Sequence, residues 1–262
     1  MICAGIDAGS RTTKVVLLDA ASRRVVAAGV VDQGIEQDAL ADSLLERLLQ
    51  EQGIRRDEVG SIVATGYGRK LIRTANETIT EITCQAWGVR QAMPQARTII
   101  DIGGQDSKLL RLKADGTVAE FVMNDRCAAG TGRFLELLAA RLGVRLASLG
   151  EMAGRSRTPA LISSMCVVFA ETEIIGLLAS GVTTADIVAG VQASLATRVA
   201  AMGRDVAPPI VLTGGVALVP GMDAALATAL GQPLAVAAEP QLTCAFGAAV
   251  LAARRVNGSP SR

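Results

Sequence analysis

The chain carries one pattern twice. "GIDAGSRTTKVVLLD" (Gly5–Asp19) and "IIDIGGQDSKLLRLK" (Ile99–Lys113) share a layout: an apolar strand ending in Asp, a Gly two residues on, a polar turn, a Lys seven residues after the Asp, and a second apolar strand. The matched residues are Asp7 and Asp101, Gly9 and Gly103, Lys14 and Lys108. Each second strand runs into turn residues, "DAASRR" and "KADGT", and then a third short strand, "VVAAGVV" and "VAEFVM". Both copies read as β-meanders. A second echo pairs "SIVATGYGR" (Ser61–Arg69) with "PIVLTGGVA" (Pro209–Ala217), each an apolar strand followed by Thr-Gly and a glycine-permitted turn. A unit repeated in this way constrains the chain to two similar α/β halves. They are expected to face one cleft, with boundaries at 1–92 and 93–262.

Helices fill the intervals. "DALADSLLERLLQEQG" (Asp38–Gly53) spaces its apolar residues helically and stops at a glycine. "TADIVAGVQASLATRVAAMGR" (Thr184–Arg204) is similar, and "TCAFGAAVLAARR" (Thr243–Arg255) is a small-residue helix able to approach backbone closely. The helix at about 243–257 is a candidate to pack back on the first domain.

The chemistry of the Asp-Gly turns is phosphate chemistry. Glycines let backbone amides approach oxygens, and Ser10, Thr12 and Thr13 add donors. Asp7 and Asp101 at strand ends suit hydrated Mg²⁺, which takes a few carboxylates plus waters. The P-loop pattern G-x-x-x-x-G-K-[ST] is absent. A single Asp-x-Gly turn is an ordinary hairpin; two with matched Asp-to-Lys spacing, joined by two Thr-Gly turns, point to a nucleotide.

Composition narrows the classes. The 262 residues carry a net charge of +1, 50% are hydrophobic, and no basic stripe marks a nucleic-acid partner. No apolar run approaches the roughly 18 residues needed to span a bilayer. "MICAGIDAGS" opens on a strand rather than a charged and apolar leader, so a soluble, cytoplasmic protein is expected. Histidine is absent, which removes His general bases and His-ligated zinc. Five cysteines remain, Cys3, Cys84, Cys127, Cys166 and Cys244, with no CxxC pair. Cys127, in "NDRCAAGTGRFLELLAARLG", and Cys166, in "SSMCVVFAETEIIGLLASG", each sit before a helix, where the dipole and free amides favour a thiolate. Cys3, Cys84 and Cys244 read as small core hydrophobes.

Together "GIDAGSRTTK", "ATGYGR", "IIDIGGQDSK", "NDRCAAGTGRF", "SSMCVVFAETE", "TGGVA" and "FGAA" span nearly the whole chain. In these motifs the sequence resembles the activators (component A) of 2-hydroxyacyl-CoA dehydratases, in the BadF/BadG/BcrA/BcrD ATPase family of the actin, sugar-kinase and heat-shock-chaperone superfamily. The resemblance implies two duplicated actin-like (ribonuclease H-like) domains. Ser10, Arg11, Thr12, Thr13 and Lys14 form a first phosphate loop. Asp101, Gly103, Gly104 and Gln105 form a second, with Gln105 near the attacking water and Asp7 and Asp101 beside the metal. Gly214 and Gly215 open an adenosine-binding turn continuing toward Val219, and Gln241 approaches the nucleotide again. Arg11 replaces a smaller residue and either contacts phosphate or points to solvent.

The resemblance also makes Cys127 and Cys166 iron–sulfur ligands. A 4Fe–4S cluster takes four thiolates, so two per chain imply one cluster shared across a two-fold homodimer. The implied activity is ATP-driven transfer of a low-potential electron, in anaerobic metabolism, from ferredoxin or flavodoxin to an iron–sulfur acceptor, a 2-hydroxyacyl-CoA dehydratase or related reductase. Glu171 either senses the nucleotide, pairs with Arg133 or, like Glu173, lies on a solvated helix face. The rival reading is a small-molecule, sugar-type kinase with Asp101 or Asp106 as base. A chaperone-type binding module would need a peptide-binding extension.

Overall fold

The computed structural model describes residues 1–164, 166–203 and 206–258. The chain opens as β1 (Ile2–Ala8), returns as β2 (Thr12–Asp19) and goes out again as β3 (Val25–Asp32). After α1 (Gln37–Glu51) come β4 (Val59–Thr65), the two-residue β5 (Glu77–Thr78) and α2 (Glu81–Ala92). The sheet order is β3-β2-β1-β4-β5, with the meander antiparallel and β4 and β5 parallel to β1. β1 is covered on both faces, which is why it reads as a continuous apolar run. α1 buries Ala41, Leu44, Leu45, Leu48 and Leu49, a helical stripe, against Ile6, Val15, Leu17 and Ile62 on one face.

The second half repeats the plan. β6 (Thr98–Ile102), β7 (Ser107–Leu112) and β8 (Val118–Asn124) form the meander. The helices α3 (Gly132–Leu142), α4 (Leu149–Ala153), α5 (Val167–Ala179) and α6 (Thr184–Ala200) follow. Then come β9 (Ile210–Thr213), α7 (Met222–Leu230) and β10 (Leu234–Val236). The order β10-β9-β6-β7-β8 is the first sheet's order read from the other end, so the duplication seen in sequence is a duplication of topology. Phe134, Leu135 and Leu138 of α3 and Ile187, Val191 and Leu195 of α6 pack with Ile100, Ile102 and Leu212 into its core.

The chain divides into two compact units. The first holds Met1–Gln95, Lys113–Val118 and the final helix α8 (Thr243–Val256); the second holds Ala96–Leu112 and Ala119–Gln241. α8 lies on the sheet face opposite α1, among Cys3, Val16, Leu18 and Val63. Its small residues allow near-contact of backbones. A Cβ on Gly247 would sit 1.8 Å from the Cys84 carbonyl oxygen, and one on Gly5 would sit 2.0 Å from that of Ala245. Among the described residues no helix is long and apolar enough to cross a membrane.

Candidate functional site

The first Asp-Gly turn joins β1 to β2. The Gly9 amide donates to the Thr12 carbonyl at 3.1 Å and closes the hairpin. Lys14 Nζ meets Asp7 Oδ2 at 3.0 Å, while Asp7 Oδ1 is buried without a hydrogen-bond partner. A buried carboxylate oxygen left unpaired is costly. It is the kind of atom a hydrated cation or its water would satisfy, and in that respect Asp7 fits Mg²⁺. Thr13 faces inward: it is fully buried and its hydroxyl donates to Gln33 Oε1 at 3.1 Å. Gln33 Nε2 donates to the Gly9 carbonyl at 2.6 Å, so Gln33 props the turn from beneath. Ser10 and Thr12 are half-buried and Arg11 is exposed. Thr65 ends β4 in register with Asp7, and Gly66 follows with φ +88, where a Cβ would lie 2.4 Å from Asp7 Oδ1. Only glycine suits that conformation and that clearance.

The second turn repeats this geometry. The Gly103 amide donates to the Asp106 carbonyl at 2.9 Å. Lys108, 2% exposed, lies 2.9 Å from Asp106 Oδ2 and 3.6 Å from Asp101 Oδ2. Thr213, in register with Asp101 across β6 and β9, donates to Asp101 Oδ1 at 3.0 Å. Gln105 is exposed at the turn's tip, and Gly103 and Gly104 are half-buried. In both units the turn stands at the carboxyl ends of a parallel strand pair, the usual crevice for ligands in open α/β sheets.

Beyond β9, Gly214 has φ +87 and its amide donates to the Pro240 carbonyl at 2.8 Å. This brings Gln241 beside Gly215, whose Cβ would lie 4.0 Å from Gln241 Nε2. A short 3-10 turn over Gly215–Leu218 ends at buried Val219. Gly214, Gly215, Val219 and Gln241 are thus gathered at one end of the second sheet.

The cysteines separate into two groups. Cys3, Cys84 and Cys244 are buried, and burial pushes the Cys84 thiol up to about 12. Cys127 is half-buried and Cys166 is exposed. Cys127 caps a three-residue 3-10 turn, and α3 begins only at Gly132, capped by the Thr131 hydroxyl. Asn124 grips Cys127 on both sides, accepting from its amide at 3.0 Å and donating to its carbonyl at 2.8 Å. Cys166 is the N-cap of α5, and Val168 and Phe169 in the first turn of that helix are 67% and 69% exposed. Among the described residues no three His, Cys, Asp or Glu side chains gather to hold a metal. Two accessible thiols fit half of a four-thiolate cluster and not a whole one.

One connection joins the second turn to the first of these cysteine segments. The amides of Gly132 and Arg133, at the start of α3, donate to the Gly103 and Gly104 carbonyls, each at 2.9 Å. Glu171 pairs with Arg141, and Arg133 pairs with Glu136, so of the alternatives for Glu171 the pair with Arg133 does not form, and the one that does ties α5 to the far end of α3. Glu173 turns back onto the loop before Cys166 rather than to open solvent.

The activator of lactoyl-CoA dehydratase from Anaerotignum propionicum is 41% identical, over 96% of this chain and 97% of that protein. The activator of 2-hydroxyisocaproyl-CoA dehydratase from Clostridium difficile, solved with bound ADPNP, superposes with a TM-score of 0.92 at 38% identity, covering 98% of this chain and 96% of its own. Component A of (R)-2-hydroxyglutaryl-CoA dehydratase from Acidaminococcus fermentans gives 0.93 at 35% identity, over 98% and 99%. Both share the duplicated actin-like fold. Matched over residues 4–252, the chain belongs to the BadF/BadG/BcrA/BcrD ATPase family.

Proposed function

We propose that this protein is an ATP-hydrolysing iron–sulfur activator that hands a low-potential electron to a 2-hydroxyacyl-CoA dehydratase or a related CoA-ester or double-cubane reductase. The observation that carries the reading is the pair of hydrogen bonds from Gly132 and Arg133 to Gly103 and Gly104. They join a phosphate turn to the segment that presents Cys127, as a protein coupling nucleotide state to a redox centre requires.

The ATP ligands proposed are Ser10, Arg11, Thr12 and Lys14 on the first turn, with Thr13 shaping it through Gln33. Gly104 on the second turn offers its amide to phosphate oxygens, and Gly103, whose amide closes the hairpin onto the Asp106 carbonyl, shapes that turn. Gly214, Gly215, Val219 and Gln241 take the adenosine. Asp7, through its unpaired Oδ1, and Asp101, on its own turn, are each proposed as a carboxylate that a hydrated Mg²⁺ would use. Gln105 orients the attacking water from the exposed tip of its turn. Phosphoryl chemistry of this kind needs positioning and charge stabilisation more than covalent help, and these residues supply both.

Cys127 and Cys166 would hold a 4Fe–4S cluster in common with the same two residues of a second copy. When bound, the cluster supplies a one-electron carrier whose potential follows hydrogen bonding, charge and exposure. The exposed Val168 and Phe169, in the first turn of α5 next to Cys166, are apolar surface of the kind that a homodimer would cover. The electron donor proposed is ferredoxin or flavodoxin, and the compartment is the cytoplasm.

Anaerobic purification tests the reading. A brown dimer with about four irons is expected, from the four thiolates that one such cluster needs. Cys127→Ser or Cys166→Ser should lose the cluster absorption and keep ATP binding, whereas Cys3→Ser should keep both. Full iron in Cys127→Ser would overturn the shared site.

A further inference from the structure

The loop before Cys166 is held by charged side chains on both of its hydrogen-bonding edges. The amides of Ser163 and Ser164 donate to Glu173 Oε1 and Oε2 at 2.8 and 2.9 Å, and the Ser163 hydroxyl donates to Oε1 at 2.7 Å. From the other side Arg198 Nη2 donates to the Ser164 carbonyl at 2.6 Å. Both backbone groups of Ser164, two residues before the thiol, are therefore taken by ionised partners. Such bonds are shorter and roughly twice as strong as neutral ones.

The two grips come from different helices. Glu173 lies on α5, the helix that Cys166 itself caps, so it fixes the loop relative to the thiol's own helix. Arg198 lies in the last turn of α6, and its Nη1 also donates to the Ser194 carbonyl at 3.0 Å, which fixes the guanidinium. The stem of Arg198 passes the Cys127 turn: a Cβ on Gly130 would meet Arg198 Cβ at 3.9 Å. Upstream, the same loop is tied again to α6. Ser156 Oγ and the amides of Arg157 and Thr158 donate to Asp186 Oδ1 at 2.7, 3.0 and 3.0 Å. The Ala160 carbonyl runs so close to α6 that a Cβ on Gly190 would sit 2.1 Å from it. Closing a surface loop does not require this density of bonds. Holding a thiol at a set place relative to a second thiol does.

We propose that Glu173 and Arg198 are positioning residues for Cys166: together they set the direction from which its thiol meets a metal cluster, and Arg198 keeps the Cys166 loop in register with the Cys127 turn. The proposal rests on the reading of Cys127 and Cys166 as cluster ligands. Partners one shell out from a metal orient its ligands, and their loss commonly costs about 10- to 100-fold in metal affinity.

The test uses the full-length protein, reconstituted anaerobically, as wild type, Glu173→Ala, Glu173→Gln, Arg198→Met and Arg198→Lys. Four quantities are read: the rate of iron loss to a ferrous chelator, the EPR spectrum of the reduced cluster, ATP affinity and the melting temperature. Glu173→Ala and Arg198→Met should release iron about 10- to 100-fold faster, with shifted EPR signals and unchanged ATP affinity. Glu173→Gln and Arg198→Lys, which keep one acceptor and one donor, should fall between them and wild type. Should the truncated variants fail to fold, the two conservative ones decide by the same readouts. Iron release and EPR signals equal to wild type in all folded variants would overturn the positioning role and leave the cluster reading standing. A wild type that takes up no iron would overturn the cluster reading instead.

Discussion

Lys108 is buried between two carboxylates, and its removal has a calculable consequence. Its side chain is 3% exposed, that of Asp101 is 10% and that of Asp106 is 30%. Lys108→Met removes the cation and leaves the carboxylates in place. Breaking a buried ion pair from one side costs about 3–5 kcal/mol, because the remaining charge has lost its partner in a poor solvent. Asp106 can turn toward water, and Asp101 keeps the hydrogen bond from Thr213 at 3.0 Å, so the low end applies, about 3 kcal/mol. At about 2–4 °C per kcal/mol for a chain of this size, the melting temperature should fall by about 6–12 °C. Adding Asp101→Asn removes the orphaned charge, and the double variant should recover about 1–3 kcal/mol relative to the sum of the single changes. Scanning calorimetry on the four proteins of that cycle measures both quantities. A Lys108→Met protein melting with wild type, or a strictly additive double variant, would mean that Lys108 neutralises nothing at the second turn.

Gly247→Ala places a methyl group 1.8 Å from the Cys84 carbonyl oxygen, so α8 must move off α2; the overpacking should cost about 1–3 kcal/mol in a denaturant titration. Asp186 accepts hydrogen bonds from Ser156, Thr158, Thr183 and Arg157, in that order of importance, and these hold its carboxyl below the usual 3.8. A depressed folded-state value means stability that is present above the ordinary pKa and lost as pH falls through the folded one. The stability gap between wild type and Asp186→Asn should therefore stay constant near neutrality and close on acidification below the usual carboxylate range, as urea melts at a series of pH values would read. On the proposed role of Gln105 in placing the attacking water, Gln105→Ala should keep ATP affinity and lose turnover by about 10²-fold; steady-state hydrolysis and nucleotide titration check the two halves separately.

The two Asp-Gly hairpins were legible because their signals are local. An Asp, a Gly two residues later and a Lys at the seventh position mark a turn between two strands; that this spacing also sets Asp7 opposite Lys14 and Asp101 opposite Lys108 as ion pairs is a finding of the structure. The close approach of the last helix was legible from its small residues. What supports the turns was not. Gln33 reaches the first turn from the end of β3, and nothing near it in sequence marks it. The pairing of Glu171 with Arg141 rather than Arg133 follows from how α5 crosses α3, a tertiary fact. Arg198 lies 34 residues from Ser164 and meets it only because α6 returns along the loop. β5 and β10, of two and three residues, are too short to show a period. The Asn124 grip on Cys127 did have a signal, since an Asn three residues before a turn residue commonly bonds the backbone there.

The proposed coupling of nucleotide to a redox centre is tested most directly on one anaerobic sample. The midpoint potential of the iron centre, and the rate at which a ferrous chelator strips it, are measured without nucleotide, with ADP and with ATP. Gly132 and Arg133 bond the second Asp-Gly turn directly, so a change at Gly103 and Gly104 has a path of two hydrogen bonds to the Cys127 segment. Coupling of binding equilibria is reciprocal, so nucleotide affinity should also differ between oxidised and reduced protein. ATP should lower the potential and speed iron loss relative to ADP. Identical potentials and identical stripping rates in all three states would contradict the account, and the sugar-type kinase reading of the same fold would take its place.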